Sequence, residues 1–259
     1  MPCTIIPHLM GGLGNWLFQV AAVMKFAQDA GLTIKLSIDH CDRSPHSETM
    51  YLSNILSKFD MVSTRGKRVM VLNEPDKLTN VNNVEHMIDY YRDKVDFLVF
   101  HGYFQRFENI PRIFPDMLLL PDVDASRVSD TCFIHIRGGD YVNHWLHDVK
   151  LREKYYDNAI GFMKSIGITK FSVFTNDKKH ATTHEFLKNI DCEFIDSNEL
   201  ETLALLKHCK AGITANSTFS WWGAFLNKNR PLCIPSKWFN DPEYDISGYF
   251  FSGVTVQTV

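Results

Sequence analysis

Short apolar runs alternate with helical patterns through the second half of this chain, and that alternation restricts its fold more than any other feature. Cys132–Arg137, Phe171–Thr175, Cys192–Asp196, Ala211–Ala215 and Pro231–Ile234 read as strands. Between them Leu151, Tyr155, Ala159 and Met163 recur at a spacing of four, and Leu200, Leu203 and Leu206 at a spacing of three, as apolar stripes on helices do. Lys179–Asn189 and Ser217–Asn227 supply two further helices. Strands joined through helices of that length form right-handed βαβ units and a parallel, doubly wound sheet.

The first half opens in the same way. Thr4–Met10 reads as a strand, Gly11–Gly14 as a turn, Asn15–Ala30 as a helix closed by Gly31, and Thr33–Ile38 as a strand. From His40 to Asn80 the pattern weakens into polar loop and short helix, before a helix at Val84–Lys94 and a strand at Phe97–His101. Pro111–Ser129, with three prolines and several aspartates, is the linker. The expected α/β architecture is two Rossmann-like lobes with parallel sheets and a cleft between them, residues 1–121 and 122–259.

Composition closes off several function classes. A formal net charge of -3 gives no broad basic field, so nucleic acid is not the expected partner and phosphate recognition has to be local. The six cysteines contain no C-x-x-C pair, which points to free thiols in a reducing compartment rather than a disulfide framework or a zinc site. No run approaches the roughly 20 apolar residues of a membrane span. Met1–Met10 lacks the basic flank of a signal peptide, so a soluble, cytoplasmic chain without a transmembrane segment is expected. Neither H-E-x-x-H nor G-x-S-x-G occurs.

Four short constellations carry chemistry. His135-Ile136-Arg137-Gly138-Gly139-Asp140 places an always-charged guanidinium at a strand end, with His135 on the same face of the strand two residues before it. Its fork of donors suits phosphate oxygens, and pairing with Asp140 in a surface turn is the competing role. Gly11-Gly12-Leu13-Gly14-Asn15 leaves backbone N–H groups at a helix start, favourable for an anion, while Asn15 as a simple cap is the alternative. With Leu17 at the third glycine position it is not the dinucleotide fingerprint, which argues against a Rossmann dehydrogenase.

Asn216-Ser217-Thr218-Phe219-Ser220-Trp221-Trp222 repeats that arrangement: Asn216 or Ser217 caps a helix whose first turn, with the hydroxyls of Ser217 and Thr218, can hold phosphate oxygens. The tryptophans stack a base or sugar, or pack as core, and core is favoured for at least one. Phe174-Thr175-Asn176-Asp177 ends a strand on a carboxylate that either contacts a nucleobase or ribose or caps the next helix. Asp122-Val123-Asp124 has a metal-binding D-x-D form, but it follows Pro121 in the linker and is read as linker solvation.

Taken in order, these segments resemble the α-1,2-fucosyltransferase family, glycosyltransferase family 11. The matching stretches are Gly11 to Gln19, Gly102 to Gln105, His135 to Tyr141, Phe174 to Asp177 and Asn216 to Ala224. The resemblance implies a GT-B-like fold, GDP-fucose as donor substrate, no metal or other cofactor, inversion at the anomeric carbon, and a glycan or glycoconjugate acceptor. It assigns Arg137 to the donor diphosphate with His135 and Asp140 beside it, and Ser217, Thr218 and Phe219 to the nucleotide side. Asn15 falls near the transferred sugar, and Gly12, Gly14, Asp177 and Asn216 complete the expected donor-binding set. The first lobe is then the acceptor side and the second binds the nucleotide sugar.

Two positions depart from the family pattern. Gly138 stands where a second arginine is usual, and Trp16 where glutamine is usual. The expected activity is transfer of L-fucose to a glycan hydroxyl, forming an α-1,2 linkage to galactose. The alternatives are transfer of another deoxysugar from a nucleotide donor, or a non-catalytic protein that binds nucleotide sugars or glycans.

Overall fold

The structure, a computed structural model, describes residues 3–42, 50–74, 84–150 and 154–257. It divides into two compact units, Met1–Leu119 with Ser247–Tyr249, and Leu120–Ile246 with Phe250–Val259. Each is an α/β layer structure built on a parallel sheet, and the architecture is GT-B-like. No helix among the described residues is long and apolar enough to cross a membrane.

In the first unit, β1 (Thr4–Pro7), β2 (Thr33–Ile34), β3 (Val69–Asn73) and β4 (Phe97–His101) lie in the order β2-β1-β4-β3. Helix α1 (Leu13–Asp29) returns the chain from β1 and buries most of its length, including Leu17, Phe18, Val20 and Val23. Burying such a side chain is worth about 1.5–3 kcal/mol, so α1 holds this sheet. The short α2 (Met50–Ser53) and α3 (Val84–Tyr91) follow, and Val84 and Ile88 of α3 join the core around Ile5, Leu98 and Phe100.

Expectation and structure part company at the sheet margin. β3 falls inside the stretch expected to be polar loop and short helix; it is an edge strand with Val71 46% exposed, so its pattern is only half apolar. β2, the other edge, keeps two residues of the six expected, with an isolated bridge at Leu36. Helix α1 begins at Leu13, and its cap position is Gly12, not Asn15, which sits within the first turn.

The second unit has six strands in the order β10-β9-β8-β5-β6-β7: β5 (Cys132–Ile136), β6 (Lys170–Thr175), β7 (Asp191–Phe194), β8 (Ala211–Ile213), β9 (Leu232–Pro235) and β10 (Val254–Gln257). The linker itself contains α4 (Phe114–Met117), and Asp124 caps a short 3-10 turn by accepting from Ser126 N at 3.1 Å. Helices α5 (Lys154–Ser165), α7 (Glu199–His208) and α8 (Thr218–Phe225) cover the sheet, and α7 starts on a capping box between Asn198 and Glu201. Leu151, expected to open α5, lies outside the described residues.

The helix expected over Lys179–Asn189 is not continuous. A single turn, α6 (Lys178–Ala181), ends at Thr182 and Thr183, and a 3-10 segment follows at Glu185–Asn189. The two threonine hydroxyls donate to the carbonyls of Lys179 and His180 at 3.0 and 2.7 Å, competing with helical bonding. All six cysteines are free thiols, four of them buried.

Candidate active site at the strand ends of the second unit

Strand order locates the site. From β5 the sheet grows through β6 and β7 on one side and through β8, β9 and β10 on the other, so the winding reverses between β5 and β8. Connections leave in opposite directions there and open a crevice outside the carboxyl ends, where α/β sheets bind ligands. Arg137 follows β5 directly, and Asn216 to Phe219 lead from β8 into α8.

His135 is 4% exposed and its ring stands 5.8 Å from that of Phe219. Its carbonyl accepts from the Tyr156 hydroxyl of α5 at 2.8 Å, tying the strand end to the helix behind it. Burial, reinforced by the charge of Arg137, pushes the imidazole down to about 3. At neutral pH it is therefore an uncharged hydrogen-bonding group and a poor proton acceptor. Arg137 donates to Asp140 Oδ1 at 2.6 Å and lies 4.8 Å over the Tyr141 ring. The competing role, pairing with Asp140, is thus present: one edge of the fork holds Asp140, while its buried Nε has no protein partner.

His135, Arg137 and Phe219 line one cavity of about 230 Å³. Its other walls include Phe174, Asn176, Asp196 and Glu199. The last two were missed by sequence reasoning. Asp196 closes the run Cys192–Asp196 with a carboxylate as Asp177 closes its own, and the same logic applied twice would have found it. Asp177 instead caps α6: its carboxylate accepts from His180 N at 2.9 Å and Gly139 N at 3.3 Å, and the His180 bond is the main cause of its lowered pKa. It lines neither this cavity nor a smaller one of about 30 Å³ beside Arg137.

The residues leading into α8 divide in role. Asn216 is 3% exposed and donates through Nδ2 to the carbonyls of His147 and Trp238 at 3.0 and 2.9 Å, so it clamps neighbouring loops. Ser217 occupies the cap position without a side-chain cap bond, and Thr218 and Phe219 form the first turn of α8. Trp221 and Trp222 are both fully buried, which leaves neither available to stack a ligand.

Glycine at 138 and 139 has a local cause. Gly139 adopts φ 59°, and the Asn176 side chain brackets Gly138, accepting from its N–H at 2.9 Å. A Cβ at position 138 would stand 2.7 Å from Asp177 Cβ and 3.0 Å from His180 Cδ2. The arginine usual in the family therefore has no room while Asp177 caps α6 here. Gly138→Arg is expected to lower thermal stability, by about 1–3 kcal/mol as overpacking does, without lowering the Michaelis constant for the donor. A stable variant with improved donor affinity would show that Asp177 moves aside.

The remaining assigned residues belong to the first unit, at the carboxyl ends of β1 and β4. Gly12 is the α1 cap, Gly14 is buried within the helix, and Asn15 Oδ1 accepts from Gln105 Nε2 at 2.9 Å. Gln19 braces the glycine-rich turn by pairing with both the N–H and the carbonyl of Met10, each at 3.1 Å. Trp16 is fully buried, edge-on to Tyr51, so this departure from the family pattern is a core residue. On the same edge His8 pairs with Asp42 at 2.9 Å and its ring is 4.7 Å from that of His101, a grouping with no readable sequence signal.

Parallel sheets with their polar groups gathered at the strand ends are the architecture of GT-B-like glycosyltransferases that use nucleotide sugars. Residues 118–246, just under half of the chain, match the model of Glycosyl transferase family 11, which supports glycosyltransferase activity. An Escherichia coli α-1,2-colitosyltransferase is 28% identical, over 92% of this chain and 93% of that protein. The O-antigen biosynthesis glycosyltransferase WbnK of Escherichia coli is 32% identical over 59% of this chain and 52% of its own length. Among solved structures, NodZ α-1,6-fucosyltransferase soaked with GDP-fucose shares the fold with a TM-score of 0.55, 12% identity, and coverage of 86% of this chain and 92% of that one.

Proposed function

We propose that the protein is an inverting, metal-independent transferase that moves L-fucose from GDP-fucose to a glycan hydroxyl, forming an α-1,2 linkage to galactose. The observation that carries this reading is the grouping of His135, Arg137 and Phe219 around one cavity at the winding reversal of the sheet. As the sugar–phosphate bond breaks, negative charge builds on the departing diphosphate. Arg137 and the first turn of α8, with Ser217 and Thr218, supply fixed donors for it, the electrostatic role that is often largest in catalysis. A metal ion is the other solution to that charge. Asp140 orients Arg137, and neutral His135 offers a hydrogen bond to the bound nucleotide. Asp196 and Glu199 provide carboxylates of the kind that accept the N–H donors of guanine.

A second reading is favoured by the colitosyltransferase relative: the donor sugar is colitose, which is L-fucose without its 3-hydroxyl. A site that hydrogen-bonds that hydroxyl rejects the deoxy analogue strongly, whereas an apolar one separates the two poorly. The test is turnover of the purified protein with GDP-fucose, GDP-colitose and UDP-sugars on lactose, in excess EDTA, together with melting in GDP, UDP and ADP. GDP should stabilise most, by roughly 2.7 kcal/mol at 100 times its dissociation constant. Fucosyl transfer should proceed in EDTA at close to the untreated rate. Equal shifts from all three nucleotides would remove the guanine assignment, and activity restored only by magnesium or manganese would remove metal independence.

A further inference from the structure

Trp145 is 72% exposed, while Trp16, Trp221, Trp222 and Trp238 are at most 2% exposed. An indole left in water forgoes the burial that makes tryptophan useful, so its display calls for a reason outside the fold. A slack loop is not that reason. Asn240 Nδ2 donates to the Trp145 carbonyl at 3.1 Å and to the Asp148 carbonyl at 3.2 Å, and Asn240 N donates to Leu146 O at 2.8 Å. On the other side, His144 Nδ1 accepts from the N–H groups of Leu146 and His147, each at 3.3 Å. The backbone around Trp145 is pinned while its side chain is left outside.

The exposed ring is also connected to the site. Tyr141 lies under the Arg137 guanidinium at 4.8 Å and stacks on His147 at 4.7 Å, with 18° between the planes. His147 meets His144 at 4.7 Å, and His144 stacks on Trp145 at 6.2 Å and 25°. A ladder of rings therefore runs from the proposed diphosphate arginine to an open indole face.

We propose that Trp145 is the platform on which a pyranose ring of the acceptor glycan stacks. One face of a galactose ring presents C–H groups, and an indole presents a flat, electron-rich surface to them. Stacking of this kind orders a sugar without needing charge, and a pinned platform loses little freedom when the sugar arrives. The assignment rests on the glycosyltransfer reading above, and gives the second unit a part in selecting the acceptor, which the family resemblance places on the first lobe.

The other four tryptophans are buried, so iodide quenching of intrinsic fluorescence reads Trp145 alone. Lactose should protect the wild-type protein from iodide over the concentration range in which it saturates turnover. Trp145→Ala should abolish the iodide-sensitive signal and raise the Michaelis constant for lactose about tenfold, as loss of a ring contact does, while that for the donor changes less than about twofold. Trp145→Phe should recover most of the loss. Three results would overturn the assignment: lactose that saturates turnover without protecting, an unchanged lactose constant in Trp145→Ala, or an altered oligomeric state in that variant with lactose kinetics intact, which marks a protein contact. Absence of transfer by the wild-type protein is a different failure, that of the glycosyltransfer reading itself.

Discussion

Arg137→Lys is expected to lower kcat by roughly 10²–10³-fold, the loss of about 2.7–4 kcal/mol of transition-state stabilisation that follows removal of one fixed oxyanion donor. Lysine keeps the charge and can still reach Asp140, but it gives up the planar fork that serves two oxygens at once. The effect should fall on kcat more than on the donor Michaelis constant, because the charge being met is largest as the diphosphate departs. Folding should survive: the Arg137–Asp140 pair is partly exposed, and such pairs contribute at most about 1 kcal/mol. Steady-state kinetics beside a thermal melt decide the matter. A variant that turns over at the wild-type rate would make Arg137 a turn-forming residue whose bond to Asp140 is its whole purpose.

Trp221→Ala should destabilise the second unit by about 3–5 kcal/mol, the range for removing a buried aromatic side chain. Trp221 is fully buried, stacked on Phe225 at 4.8 Å and edge-on to Trp222 and Phe251, both at 5.4 Å. The vacated space is walled by rings that cannot collapse into it. Urea unfolding should show the midpoint falling at nearly constant slope. GDP affinity of the folded molecules should change little. If instead GDP or lactose binding is lost while the midpoint holds, Trp221 is a ligand contact and its burial is not permanent.

How far the sequence carried depended on where a strand stands in its sheet. β4, β5, β6 and β9, each flanked on both sides, were expected within a residue of their observed bounds, because burial on both faces makes the run apolar. The interior β1 and β8 end three and two residues before the expected Met10 and Ala215. The edge strands fared worse: β3 and β10 were not foreseen, β2 is shorter than expected and β7 is shifted. An edge strand shows half its residues to water and resembles a loop.

The site divided along similar lines. Arg137 sits at the end of a strongly apolar strand and stood out from it, whereas Phe219 entered only through the family resemblance. Asp196 and the His8–Asp42 pair depend on which strand ends become neighbours, and strand order is not written in any one segment. Asn216 and Asp177 illustrate a further limit. Their residue type suits a ligand and a cap equally, and only the hydrogen-bond partners distinguish the two.

Ser247–Tyr249 belongs to the first unit although every other residue of that unit precedes Leu120. Tyr249 is fully buried; its ring stands edge-on to Phe18, and its hydroxyl donates to Gln105 Oε1, whose amide nitrogen in turn holds Asn15. During synthesis, the strands and helices of the first unit emerge more than a hundred residues before this tyrosine exists. Until then Phe18 lacks its edge-on contact with that ring, and Gln105 Oε1 lacks the tyrosine donor. The amide pair beside the glycine-rich turn is therefore among the last parts of the molecule to set, and a nascent chain stalled before residue 249 carries a first unit with its strands made but the edge beside that turn unfinished.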